Sequence, residues 1–312
     1  MAMGETYVSL NVIKDAPQFT KWAEDNRERI GKAEKNGTLS YFLNENKSFL
    51  EKGGKTKQKR IRTSQEVEDI KARWAERQER NNFINEMKEF NWTDKEKTAI
   101  AKYWQDIEKK QGWKKGHPMT AEEADKQKAN PHFFESRGYQ INCQTCVPTY
   151  QLRTHGFNVV ATPRTKNSDN DYLATEGRWA EIWKDCRGND CKPILFSEST
   201  ISGKKETRYS NAFRYPMSFY QEFIERNTKE PGLYQIAYWH AKGGHTTILE
   251  RSKDGKLSYI EPQLYYDDAT RHSVKEMIKS FSRCMQGDKN GILRIDNKLI
   301  KDKYLPLFSP GK

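Results

Sequence analysis

The first 142 residues contain no cysteine; all five, Cys143, Cys146, Cys186, Cys191 and Cys284, fall in the rest of the 312-residue chain. An odd count in a chain of this length does not read as a disulfide framework, and a reduced compartment is the default expectation. Hydrophobic residues are also scarce, at 35% against 31% charged, so a packed core along the whole length is not expected. No stretch approaches the run of about 18 apolar residues that a membrane helix requires. Residues 1–16 lack an apolar block between a basic start and a small-residue cleavage site, so a standard secretory signal is not expected. The expected location is the cytoplasm, or a virion or secretion system that delivers the protein to the cytoplasm of a target cell. Acid is short of base, 43 residues against 55, giving a formal charge of +12. That excess favours acidic partners such as nucleic acid or an acidic protein, but its commoner meaning is solubility.

The scarcity is uneven. Residues 1–115 are rich in Lys, Glu, Arg, Asn and Gln. Phe19, Trp22, Ala23, Ile30 and Ala33 keep an approximate helical period, with Gly37 as the stop. Residues 53–62 carry five basic side chains and no acid, which reads as an exposed linker; nucleic-acid binding there is the weaker reading. Ser64 precedes Val67, Ile70, Ala72 and Trp74 as a capping-box-like start. Thr93 opens a further helix, with Ile100, Tyr103, Trp104 and Ile107 at three- and four-residue steps. These are amphipathic, charged helices with narrow apolar faces, expected to dock on a partner surface. No heptad persists long enough for a coiled coil. From residue 116 the texture changes. Thr120 caps an acidic first turn, Asn130-Pro131 closes that helix, and a helix follows Cys143. Strand-like segments cover residues 157–161, 233–239, 245–251 and 257–261, with a helix at 216–226. Helices early and strands late, without βαβ alternation, predict an α+β domain over residues 116–312.

A cysteine nucleophile needs a base and an oxyanion stabiliser, and a helix N-terminus favours the thiolate. Cys143 and Cys146 precede Pro148, which is tolerated in a first turn, so the helix start is placed within a residue or two of them. Either cysteine could then be the nucleophile, since they share a helix face. Gly156 ends the helix. His245 follows Gly243-Gly244, and paired glycines in a strand mark a close backbone approach. His117, His132, His155, His240 and His272 sit in poorer positions for a base. The turn after Ser252 allows two registers. A two-residue Asp254-Gly255 turn pairs Ile248 with Glu261 and sends Glu261 to the face opposite His245. A three-residue loop pairs Thr247 with Glu261 and sets Glu261 beside His245, with Gln263 across from it.

Asn142-Cys143-Gln144-Thr145-Cys146, the helix end Leu152-Arg153-Thr154-His155-Gly156, Gly244-His245 and Glu261-Pro262-Gln263 together resemble the papain-fold toxin domains called glutamine deamidases. The resemblance covers about residues 118–300. The Ala124-Asp125 to Asn130-Pro131 stretch is similar to versions found at the C-terminus of minor head proteins of phages of Bacteroides-type bacteria. The resemblance implies a papain-like cysteine-enzyme fold, preceded by a charged helical region for assembly or delivery. It implies a hydrolase, a toxin or effector acting on a glutamine or peptide bond of a protein. Phage capsid, portal or delivery machinery, or an immunity protein, are its implied partners. It favours Cys143 as nucleophile over Cys146, His245 as base and Glu261 as orienting acid. Asn142, Gln144 and Gln263 are oxyanion or support candidates. The family usually carries Asp where this chain has Glu261; the extra methylene implies a looser hold on the imidazole. No cofactor or metal is expected. The rival is a structural zinc on Cys143, Cys146, Cys186 and Cys191, whose pairs are further apart than the usual 15–20 residues.

Overall fold

The computed structural model describes residues 19–51, 63–86, 91–175, 177–198, 200–201, 204–205, 217–240, 243–265, 268–281 and 290–311. The basic run 53–62, the first residue of the helix expected at 216–226, and Cys284 lie outside them. The chain divides into two compact units between Glu79 and Arg80. The helices are α1 (Phe19–Asp25), α2 (Arg27–Lys35), α3 (Leu39–Glu51), α4 (Ser64–Glu86), α5 (Asp94–Gln111), α6 (Ala121–Ala124), α7 (Lys126–Ala129), α8 (Cys143–Thr154), α9 (Asp169–Leu173), α10 (Met217–Asn227) and α11 (Val274–Phe281). The strands are β1 (Val159–Ala161), β2 (Trp183–Lys184), β3 (Ile194–Leu195), β4 (Thr200–Ile201), β5 (Lys204–Lys205), β6 (Gly232–His240), β7 (Gly243–Arg251), β8 (Leu257–Ile260), β9 (Arg271–His272), β10 (Gly291–Arg294), β11 (Leu299–Ile300) and β12 (Phe308–Pro310).

In the first unit, the predicted single helix through Phe19 and Ala33 is two, interrupted at Asn26, whose amide turns back to the Trp22 carbonyl at 2.9 Å. A side chain that bonds the backbone locally competes with the helical ladder. The narrow apolar faces do not all wait for a partner: Trp22, Ala33, Phe42 and Leu43 form a small core, with Trp22 stacked on Phe42. Gly37 ends α2 with φ +64, a conformation that costs glycine little. The capping box of α4 is set by Thr63 and Glu66, one residue before the Ser64 start that the sequence suggested.

The second unit is α+β. Its main sheet is antiparallel, in the order β3-β10-β6-β7-β8-β9. Strand side chains alternate between faces, and β6 is buried on both. Leu233, Ala237 and Trp239 join one core with Val147, Tyr150 and Leu152 of α8. Tyr234, Ile236 and Tyr238 join another with Tyr220, Phe223 and Ile224 of α10 and Met277 and Ile278 of α11. Buried faces on both sides explain why residues 232–239 are apolar or aromatic apart from Gln235, whose amide is hydrogen-bonded to Trp183 and Thr246.

The two compact units divide after Glu79 rather than at the expected residue 115. Thr93 does open α5, through a reciprocal capping box with Glu96. Yet Ile100, Trp104 and Ile107 of α5 lie in the same core as α8 and the sheet. Trp104 has no exposed surface and packs on His155 and Phe157, with ring centroids at 4.8 and 5.3 Å. A charged helix with a narrow apolar stripe is also what a sheet domain uses to close its own core, so composition alone did not separate the two cases. Trp104→Ala should therefore destabilise the second unit by about 3–5 kcal/mol. A fragment of residues 80–312 should unfold as one cooperative transition, whereas 116–312 should be insoluble or lack that transition. Chemical denaturation followed by tryptophan fluorescence distinguishes them, and a stable, cooperative 116–312 fragment would restore the earlier boundary.

Candidate active site

Helix α8 starts at Cys143, with Asn142 at its N-cap, and every residue from Cys143 to Thr154 is buried. Pro148 is consequently not in the first turn, as expected, but one turn further on. Its missing N–H leaves the Gln144 carbonyl without its usual helical donor. Gly156 closes the helix at φ +99, and a Cβ there would stand 2.6 Å from the Gly116 carbonyl.

The turn between β7 and β8 settles the register. Ile248 faces Ile260 and Arg251 faces Leu257, which continues to Thr247 opposite Glu261, just past the ladder's end. This is the second of the two registers that the sequence allowed. His245 and Glu261 share a face, and His245 Nε2 lies 2.7 Å from Glu261 Oε2. The paired glycines have a physical reason. Gly244 faces Trp239 across the hairpin, and a Cβ on it would come within 2.7 Å of the indole nitrogen.

Glu261 has no exposed side-chain surface, and His245 keeps 13%. The carboxylate is saturated. Oε2 accepts from Tyr259 Oη at 2.7 Å as well as from His245; Oε1 accepts from the backbone N–H of Gln263 and Leu264 at 3.0 and 3.3 Å. Burial works against its charge, but the His245 charge and these hydrogen bonds prevail and hold the carboxyl below its ordinary range. On His245, burial again opposes the charge. The Glu261 carboxylate, a hydrogen bond with Cys143 and the Cys143 charge outweigh it and keep the imidazole pKa well above 6.5. Since Nε2 belongs to Glu261, Nδ1 is the nitrogen left for Cys143.

Cys146 is set apart from this line. It has no exposed surface, and its Sγ donates to Asn142 Oδ1 at 3.2 Å. Burial, then the neighbouring Cys143 and Glu261 charges, push its thiol well above the ordinary range. Of the two candidates, Cys143 meets the imidazole and Cys146 stays a buried thiol.

The three support candidates separate. Asn142 Nδ2 donates to Asn130 Oδ1 at 3.2 Å and to the Thr162 carbonyl at 3.0 Å, so neither amide proton is left for an oxyanion. Its Oδ1 accepts from Gln263 Nε2 at 3.2 Å and from Asn130 Nδ2 at 3.4 Å. Asn142 and Gln263 are thus positioning groups that tie the start of α8 to the Glu261 turn. Gln144 is different: it is buried, and its Oε1 has no hydrogen-bond partner among the described residues.

Two members of the arrangement were missed in the sequence. Tyr259 could have been found, because it lies two residues before Glu261 on a strand and must share its face. Asn130 could not; its amide reaches Asn142 across a loop that no periodicity encodes. His155, set aside as a base, is a core residue among Phe83, Trp92 and Trp104, with its pKa lowered to about 3 by burial and by the Lys115 charge.

Among the described residues, no group of three or more His, Cys, Asp or Glu is placed to hold a metal ion. Cys186 and Cys191 are partly exposed and do not join Cys143 and Cys146 in such a group. A cavity of about 730 Å³ lies further along α8, lined by Tyr150, Glu122, Glu250 and Arg271 among others. None of Cys143, His245 and Glu261 borders it, so cavity size does not point to the site. No helix among the described residues is long and apolar enough to cross a membrane. No protein-family model, curated protein or solved structure matches the chain.

The charged pair has a pH signature. Glu261 is depressed relative to its ordinary 4.5, so its contribution is present above pH 4.5 and lost as pH falls through the lower native value. His245 is raised above 6.5, so its contribution is complete below pH 6.5 and lost as pH rises through the higher native value. Both are whole only between pH 4.5 and 6.5. Glu261→Gln should cost about 3–5 kcal/mol inside that window, because it leaves a buried cation unpaired. Denaturant midpoints of both proteins across pH should show the gap narrowing on either side; a gap that widens above pH 8 would contradict the pairing.

Proposed function

We propose that the second unit is a papain-like cysteine amidohydrolase acting on a carboxamide of a protein substrate. The observation that carries this reading is the His245 imidazole, shared between Cys143 and a buried, fully hydrogen-bonded Glu261 carboxylate. That is the nucleophile, base and orienting acid of cysteine acyl transfer, recognised by geometry and roles.

In this mechanism the proton rests on His245 and the Cys143 sulfur attacks the carboxamide carbon. The oxyanion that forms meets the first N–H groups of α8, which have no helical acceptor. Gln144, the one amide of the three not committed to the internal network, is the side chain that would assist. His245 Nδ1 gives its proton to the departing nitrogen, leaving a thioester on Cys143. A water then loses a proton to His245 and attacks the thioester, releasing the acid. The sum is amide plus water to carboxylic acid plus ammonia when the substrate is a glutamine side chain.

With a peptide bond the same steps are proteolysis, and with an amine in place of water they are transglutamination. The resemblance to papain-fold toxin domains selects deamidation, and with it a toxin or effector role. The charged first unit would then serve assembly or delivery.

Iodoacetamide at pH 6 offers a test that needs no known substrate. Cys143 should alkylate at least about tenfold faster than Cys186 or Cys191, and His245→Ala should remove the advantage. Added to a bacterial lysate, the intact protein should produce proteins heavier by about 1 Da per converted glutamine, and Cys143→Ala should lose this by several orders of magnitude. Equal alkylation of all thiols would overturn the cysteine mechanism. Selective Cys143 alkylation with new peptide ends instead of mass gains would move the assignment to proteolysis.

A further inference from the structure

The first turn of α8 holds two thiols, Cys143 at its first position and Cys146 at its fourth. Residues three apart on a helix are neighbours on one face, with Cβ atoms about 5–6 Å apart. A disulfide needs about 3.5–4.5 Å between Cβ atoms. The turn must therefore tighten by only an ångström or two, and it is a turn free to do so. Pro148 supplies no N–H to the Gln144 carbonyl, and Thr145 and Cys146 both donate to the single Asn142 carbonyl, at 2.9 and 3.1 Å. The surroundings of the two sulfurs are unequal. Cys143 keeps 7% exposure beside the His245 imidazole, whereas Cys146 has none and rests on Asn142. That is the division of a Cys-x-x-Cys redox pair at a helix N-terminus, with an attackable first thiol and a sheltered second one.

We propose that Cys143 and Cys146 form a reversible redox site that a peroxide closes into a disulfide. The Cys143 sulfur attacks a peroxide oxygen: an S–O bond forms, the O–O bond breaks, and the released hydroxide takes a proton to leave as water. Cys146 Sγ then attacks the Cys143 sulfur. The S–S bond forms, the S–O bond breaks, and the hydroxyl departs with the Cys146 proton as a second water. Two electrons pass from the thiol pair to the peroxide. At rest Cys146 holds its proton, because burial and the adjacent charges raise its pKa, so the first oxidation falls on Cys143. A thiol reductant reverses the closure by exchange. The pairing stands without the amide-cleaving reading; only its consequence, loss of the nucleophile, rests on it.

Residues 138–153 form one tryptic peptide that contains both thiols and no other cysteine. The full-length protein is treated with a few equivalents of hydrogen peroxide, quenched in acid, alkylated and digested. The peptide should emerge unalkylated and about 2 Da lighter than its dithiol form, and dithiothreitol should restore it. Cys146→Ser keeps a donor to Asn142, and under the same treatment should carry Cys143 on to the sulfinate, about 32 Da heavier. The wild-type digest alone decides the matter if that variant fails to fold. Sulfinate forming as fast in the wild type as in the variant would overturn the proposal. So would a Cys143 left reduced while Cys186 or Cys191 oxidises, or a Cys143 disulfide to any cysteine other than Cys146.

Discussion

A carboxylate with no exposed surface survives as an anion only if its oxygens are met by donors, and Glu261 is that group. Leaving water costs such an ion several kcal/mol, and removing any one partner leaves part of that cost uncompensated. The chain supplies donors of two kinds. The backbone N–H groups of Gln263 and Leu264 fix the turn that follows the strand, and the Tyr259 hydroxyl and the His245 ring fix its side-chain end. The imidazole thereby loses its rotational choice. With Nε2 bound to the carboxylate, the ring can only present Nδ1 to Cys143, so the geometry of the Cys143–His245 pair is inherited from Glu261.

The other half of the arrangement is held by amides. Asn142 is the N-cap residue of α8, yet its side chain makes no cap bond to its own helix. It spends its donors on Asn130 and Thr162 and its acceptor on Gln263 and Cys146. The local bond it forgoes is typically worth about 1 kcal/mol. In exchange the start of the helix is bolted to the loop before it, the strand exit after it and the Glu261 turn. A capped helix would be stable but free to shift along its axis. A network through Gln263 sets the distance between the Cys143 and Glu261 elements, which is the coordinate that matters for a sulfur and an imidazole.

How much of this was legible in the sequence depends on the range of the physics involved. Period-two reasoning on β7 and β8 narrowed Glu261 to two registers, and the five-residue connection around Asp254-Gly255 selects between them. Gly244 was readable as a close approach, though not as an approach to the Trp239 indole. Asn142 was readable as an oxyanion or support residue, and its hydrogen bonds leave it the support role. An amide next to a nucleophile looks like an oxyanion donor until its protons are counted, and both are spent on partners 12 and 20 residues away in the chain. The division between the compact units was hidden for a related reason. The charge on α5 is visible in its residues, whereas the burial of Trp104 depends on α8 and the loop after it, which no window on α5 contains.

The glutamate at position 261, where the proposed papain-like reading expects aspartate, turns on the same counting. Glutamate is one methylene longer than aspartate, and an exposed or half-bound glutamate would hold an imidazole loosely because it has one more torsion to spend. The torsions of Glu261 are not available to spend. Oε1 is held by two backbone N–H groups that belong to its own turn, and Oε2 by a tyrosine packed in the second core. Rotation about any side-chain bond would break at least one charge-assisted hydrogen bond, each worth about 1.5–3 kcal/mol, at a carboxylate with no exposed side-chain surface. The β7–β8 pairing stops at Ile260, and Glu261 just past it is buried with both oxygens bonded. Reach, not stiffness, is what the extra methylene changes, and the Tyr259 hydroxyl is the residue that converts the longer arm into a fixed one.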